Sequence, residues 1–470
     1  MLFSSFSFLL WFLPAVLFLY FAPSALNRLA GKERTCLGWQ NAVLLVSSLL
    51  FYAWGEPIYV LLMVGVIAAD TLFGILITRT RQKKPMLWLA ILFHVGLLFY
   101  YKYAAFVMGA FGLFMPQPHL PLGISFYTFQ ALSYVVDVYR GEVPPERNPA
   151  VLGVYVALFP QLIAGPIVRY RDVATALRHR THSLHGAAAG TRRFAAGLSK
   201  KMLLANPMGA LFSMLAARPE LSALGAWTAL LAFAFQIYFD FSGYSDMAVG
   251  LGRIFGFRFP ENFRYPYVAR SVTDFWRRWH ITLSSFFREY VYIPLGGNRR
   301  GLWRTVLNLL VVWSLTGLWH GASLNFLLWG VYYFLLLALE KFVFPRIFHT
   351  VPGGIAHAAT LLAILLGWMI FAFDGSAAHL TLHAFWRFGG RLLGAGGLLS
   401  RMDLYDLLRH LPLLVLCALG ATPLPRQIYR QTVCKKRVFW ARVALPLAAL
   451  ALAVIDLSDA GFNPFLYFRF

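Results

Sequence analysis

Apolar positions in this chain gather into about a dozen long runs, and the polar positions between them form short loops rich in lysine and arginine. Runs of this length predict membrane helices, because a hydrocarbon core about 30 Å thick takes roughly 20 residues rising about 1.5 Å each. The first run, Met1 to Tyr20, lacks the basic leader and the small-residue cleavage site of a signal peptide, so it is expected to stay as the first membrane helix. Arg28, Lys32 and Arg34 follow it, which by the positive-inside rule places the N-terminus outside. Runs at 41–54 and 58–78 predict a hairpin around Gly55-Glu56-Pro57 that returns to Arg79, Arg81, Lys83 and Lys84. A second hairpin, 86–112 and 121–139, turns at Met115-Pro116-Gln117-Pro118 and comes back to Arg140.

The run from Ala150 to Val168 breaks this alternation. It is followed by eight basic residues from Arg169 to Lys201 against one acid, Asp172, which keep its far end inside. It also holds Pro160 and Gly165-Pro166, which interrupt helical hydrogen bonding. A re-entrant segment that dips in and returns meets both conditions. Further runs lie at 199–216 and 226–251, then on either side of His320, and at 356–373, 411–424 and 438–456. Between them, Arg253 to Arg304 carries ten basic residues against Glu261, Asp274 and Glu289, and is expected at the cytoplasmic face. The pattern assigns least to 374–410.

Composition narrows the class. Hydrophobic residues make up 59% and charged residues 13%, with a mean hydropathy of +0.63, which excludes an ordinary soluble domain. The net charge of +23 sits in the short loops, so topology and attraction to anionic headgroups account for it without a nucleic-acid partner. An anionic acyl carrier could use the same charge. Cys36, Cys417 and Cys434 are scattered and suggest neither a disulfide framework nor a metal site.

Two stretches carry candidate chemistry. From Trp303 to Leu339 the only charge is Arg304, and His320 lies in the middle, within Gly317-Leu318-Trp319-His320-Gly321-Ala322-Ser323. The stretch is too long for one crossing and predicts two helices meeting near His320. A polar group at that depth is costly and usually faces a cavity or a partner. The second stretch interleaves aromatic and basic residues, Asp274-Phe275-Trp276-Arg277-Arg278-Trp279-His280, and ends in Tyr292-Ile293-Pro294-Leu295-Gly296-Gly297-Asn298-Arg299. It reads as a helix at a headgroup boundary, with His280 on its apolar side. Its Gly-Gly-Asn turn would offer free amides to an anion near Arg299 and Arg300, making Asn298, Arg299 and Arg300 candidates for the donor site. Asp240, Ser242 and Asp246 near the end of a run call for pairing with an arginine. Lys102 can snorkel to an interface.

Taken in order, Trp-Arg-Arg-Trp-His-Ile-Thr-Leu-Ser at 276–284, Tyr-Ile-Pro-Leu-Gly-Gly-Asn-Arg at 292–299 and Gly-Leu-Trp-His-Gly-Ala at 317–322 are similar to the membrane-bound O-acyltransferase family. So are Pro121 to Gln130, Phe159 to Ile167, Phe239 to Asp246 and Asn463 to Phe470, the last pointing to the bacterial branch that O-acetylates alginate. The resemblance implies a single all-α polytopic membrane domain, 1–470, of about eleven membrane helices with re-entrant segments around a central funnel. Within it, 253–304 forms an interfacial or re-entrant region and 303–345 a helix pair carrying the histidine motif. The family histidine matches His320, and its second, less uniform histidine matches His280. The resemblance also implies an acetyl-coenzyme A or acyl carrier thioester as co-substrate, no tightly bound cofactor or metal, an exported esterase-like partner, a polysaccharide as final acceptor and an inner-membrane location.

The residue chemistry agrees with that resemblance. O-acyl transfer requires a base for a hydroxyl, and an imidazole with an ordinary pKa of about 6.5 suits the task at working pH. Trp319, Asn325, His280 or the amides near Gly321 are candidate donors to the oxyanion. Peptidoglycan O-acetylation and D-alanyl transfer to teichoic acid use the same chemistry on other polymers. A solute transporter is the alternative from another class, and transporters often repeat their halves. This chain holds no second copy of the Trp-His or Gly-Gly-Asn pattern.

Overall fold

A computed structural model describes residues 2–30, 36–343, 351–374, 380–434 and 439–459. Lys32, Arg34 and the closing Asn463–Phe470 run lie outside the described residues, as do the side chains of Arg28 and Cys434. Every regular element among the described residues is a helix. Seven are long and apolar enough to cross a membrane: Ser7–Asn27, Tyr59–Arg79, Lys83–Ala110, Ala223–Ile254, Leu302–His320, Leu324–Val343 and Gly353–Ala372. Counting the pair Arg401–Gly420 and Leu424–Thr432, bent by 69°, as one span raises this to eight. Other runs fall short for identifiable reasons. The helix Ile124–Arg140 buries Ser125, Thr128, Gln130, Ser133 and Asp137, so its interior face is polar where a lipid-facing helix would be apolar. The run at 150–168 folds as the nine-residue helix Pro149–Ala157, about 13 Å long and too short to cross. The chain breaks at Leu158, makes a single turn at Phe159–Leu162 and continues irregularly, with nearly every residue buried in protein.

Contacts divide the chain into two compact units. The first comprises Met1–Phe194 and Tyr244–Glu261. Its interior is unusually polar: His94 Nε2 lies 2.7 Å from Asp70 Oδ1 between two spanning helices, with both side chains inaccessible to solvent. Glu146 accepts hydrogen bonds from Tyr170 Oη and Arg178, and Arg193 binds Asp246 and Glu261. Lys102 was expected to snorkel. It is instead buried, its Nζ 3.5 Å from Ser125 Oγ, because the helix Ile124–Arg140 supplies a polar face for it inside the unit.

The second unit comprises Ala195–Gly243 and Asn262–Phe470 and holds both candidate histidines. Its core packs Trp276, Trp279, Trp329, Tyr333, Trp368 and Phe371 ring against ring in edge and tilted contacts, which contribute about 0.5–1.5 kcal/mol each beyond burial. Helices Leu302–His320 and Leu324–Ala338 pack closely along their length. Glycine is required at their crossing: a Cβ on Gly317 would strike the Phe326 carbonyl oxygen, and one on Gly330 the Trp313 carbonyl oxygen. Asp240 is paired, but with Lys201 at 2.7 Å and not with an arginine, both side chains being buried. The expected helix at a headgroup boundary is also divided, into Val272–Trp276 and Ile281–Phe287. The interruption is at His280, whose φ of 43° ends one helical path and begins another.

Candidate functional site

His320 is the last residue of the helix Leu302–His320, and Gly321-Ala322-Ser323 then leads into the helix that Ser323 caps. The two helices predicted to meet near His320 do so. The imidazole is 6% exposed, with ring centroids 5.2 Å from Trp329, 5.1 Å from Phe371 and 5.0 Å from Trp319. Its surroundings are apolar walls that exclude water and fix the ring's orientation.

His280 is 1% exposed and reaches this region from a different part of the chain. Its ring meets Phe241 edge-on at 4.7 Å and Trp319 at 5.8 Å, so the Trp319 indole contacts both histidines. His280 Nδ1 lies 3.1 Å from Asn262 Oδ1. Burial pushes its pKa from 6.5 down to about 3, leaving a neutral imidazole across the physiological range. The same residue lines a cavity of about 470 Å³ whose wall includes Arg277, Arg288, Thr273, Ser284 and Thr316. Two guanidinium groups beside hydroxyls and a largely apolar floor suit an anionic group attached to an acyl chain or a small acyl unit.

The Gly-Gly-Asn turn differs from expectation. Gly296 and Gly297 donate their amides to the carbonyls of Ile293 and Tyr292, so the turn spends internally the donors expected to meet an anion. Its carbonyls are held as well, since Asn308 of the histidine helix donates to Gly297 O at 3.1 Å. Asn298 accepts from Tyr292 Oη and, at 3.3 Å, from Lys341 Nζ. Asn298, Arg299 and Arg300 are exposed. Of the oxyanion candidates, Asn325 donates to the Ile370 carbonyl, whereas Trp319 stands at the histidines.

The residues 148–380 match the model of MBOAT, the membrane-bound O-acyltransferase family. Over 509 aligned positions, spanning all of both chains, the sequence is 36% identical to the probable alginate O-acetylase AlgI of Pseudomonas putida. The protein belongs to the membrane-bound O-acyltransferase family. It is therefore an O-acyltransferase, and a multi-pass membrane protein. The probable alginate O-acetylase AlgI of Pseudomonas aeruginosa is 40% identical over 79% of this chain and 72% of its own. The peptidoglycan O-acetyltransferase of Helicobacter pylori is 36% identical over 70% of each chain. Both histidines, the cavity residues Thr273–Leu337 and the Trp319 bridge fall inside the family match.

Sequence reasoning picked out His280 and His320 but not what joins or holds them. Trp319 had the signal of adjacency to His320, without any hint that it also meets His280. Asn262 and Phe371 carried no signal, since each comes from a separate segment of the chain, and Trp329, nine residues after His320, lies on the adjoining helix with nothing to mark it.

Proposed function

We propose that this transferase takes an acetyl group from a thioester donor at the cytoplasmic side of a bacterial inner membrane and passes it toward a hydroxyl of an exported polysaccharide of the alginate type. The observation that carries this is the Trp319 indole, which meets both the buried His320 and His280, a residue at the wall of the arginine-lined cavity. In this reading the cavity receives acetyl-coenzyme A or an acetylated carrier, with Arg277 and Arg288 facing its phosphates. His320 accepts the proton of the attacking hydroxyl; its oxygen bonds to the acetyl carbon, the carbon–sulfur bond breaks, and the proton ends on the departing thiolate. The first hydroxyl acetylated belongs to the polysaccharide or to an exported esterase-like partner that completes the transfer. Near-complete alignment with alginate O-acetylases supports alginate as the polymer.

The same reading takes the fold as about eleven crossings with re-entrant segments around a funnel. The broken run at Leu158, the short apolar helices Leu37–Ala53 and Val443–Ser458 and the bent pair are the segments available beyond the seven spans. Similarity to the Helicobacter enzyme favours peptidoglycan as the second polymer.

The test is ester-linked acetate on exported polysaccharide and on peptidoglycan in cells with the wild type, a deletion, or His320→Ala at equal membrane abundance. Loss from polysaccharide in both altered strains is expected. Loss from peptidoglycan alone moves the substrate to that polymer, and acetate retained in His320→Ala cells removes His320 from the chemistry.

A further inference from the structure

His280 sits in an unusual place for a histidine. Its backbone is left-handed, with φ of 43° and ψ of 52°, a conformation costing roughly 1–2 kcal/mol for a residue with a Cβ. Strain of this kind persists only where surrounding bonds enforce it. Here they come from one residue. Asn262 accepts the Ile281 N–H on its backbone carbonyl at 3.0 Å, and on its side-chain oxygen it accepts the Thr282 N–H at 3.2 Å and the Thr282 hydroxyl at 2.9 Å. The same loop adds a further bond, Arg264 N–H to the Arg278 carbonyl at 2.9 Å.

These bonds decide a proton position. A backbone N–H can only donate, so the Asn262 atom facing Thr282 N must be the amide oxygen and not its nitrogen. That same oxygen is the atom 3.1 Å from His280 Nδ1. An amide oxygen only accepts, so Nδ1 must carry the hydrogen, and in the neutral ring the lone pair is then on Nε2.

We infer that Asn262 is a positioning residue that holds His280 as the Nδ1–H tautomer and so leaves Nε2 as the basic atom of the ring beside the acyl-donor cavity. The inference rests on the reading of that cavity as the donor site. It also sets the role: a neutral His280 accepts a hydrogen bond at Nε2 and is not a donor to the oxyanion. Arg277 and Arg288 are cations on the cavity wall, Asp274 is bound to Arg278, and Asp240, next to Phe241, is bound to Lys201. His320 meets the same Trp319 indole that His280 does.

The experiment uses the full-length chain in nanodiscs with ¹⁵N-labelled histidine, and the His280 signals are identified by their loss in His280→Gln. The wild type at neutral pH is expected to show a protonated Nδ1 and an unprotonated Nε2, and Asn262→Ala to shift the ring toward the other tautomer. A wild-type ring protonated at Nε2, or a tautomer unchanged in Asn262→Ala, overturns the inference. Asn262→Asp keeps the shape and the acceptor while placing a carboxylate against Nδ1–H, so it should keep the tautomer and make the ring protonate at higher pH than in the wild type. An unchanged protonation pH in that variant counts against the contact. Acetyl transfer, counted as ester-linked acetate in inverted membrane vesicles supplied with acetyl-coenzyme A, adds the functional half. Asn262→Ala is expected to lower kcat by about 10²-fold with KM unchanged, the scale of a misplaced group in the site. Full transfer by His280→Gln would end the reading of His280 as part of the site, while the tautomer result would stand or fall on its own.

Discussion

At the scale of single residues, the site is two imidazoles and one indole set in an apolar wall. Because burial holds the His280 pKa near 3 while an unfolded histidine titrates near 6.5, the unfolded chain binds more protons between those values. Stability from this group is therefore fully present above about pH 6.5 and is lost as pH falls toward 3. Thermal unfolding across that window should show a shallower acid loss in His280→Gln than in the wild type; equal slopes would mean that the ring is hydrated. The buried pair Lys201–Asp240 makes a second residue-scale case. Lys201→Met alone leaves a buried carboxylate unpaired and should cost about 3–5 kcal/mol, whereas Lys201→Met combined with Asp240→Leu should recover most of it in a double-mutant cycle. Sequence indicated that Asp240 needed a cation but not which one, since the choice of Lys201 over the many arginines depends on which helix lies alongside.

Elements position these residues. His320 is placed by the end of one helix and the start of the next, and that corner is set by Gly317 and Gly330, where the two backbones touch. Gly330→Ala is expected to force the helices apart at a cost of about 1–3 kcal/mol and to displace His320, seen as a lower Tm and reduced acetylation together. An unchanged Tm would show that the crossing has room to spare. The helix pair was legible from its length of apolar sequence and its central polar group. The broken path at Val272–Trp276 and Ile281–Phe287 was not, because an aromatic and basic pattern fits a continuous interfacial helix equally well. Only the loop bearing Asn262, packed against the break, makes a left-handed His280 stable.

For the whole molecule, the loops around Arg299 are expected at the cytoplasmic face and the turn at Met115–Pro118 on the other side. Starting from a variant without Cys36, Cys417 and Cys434, a single cysteine at Arg299 should react with an impermeant maleimide only when the cytoplasmic face is open, and one at Pro116 only from outside. Labelling of both from one side would invert or collapse the topology. Sequence alone determined that the chain is a multi-pass helical membrane protein and which family it resembles, and it picked out His280 and His320 as the candidate histidines, because hydropathy and ordered motifs are written residue by residue. The tertiary structure alone decided that Trp319 meets both rings, that the Gly296 and Gly297 amides are consumed within their own turn, that Lys102 is buried, and that Asn262 holds His280. Apart from the bonds of that turn, each depends on a residue from a separate segment of the chain, and the energy of burying a polar group is settled only by what the fold brings beside it.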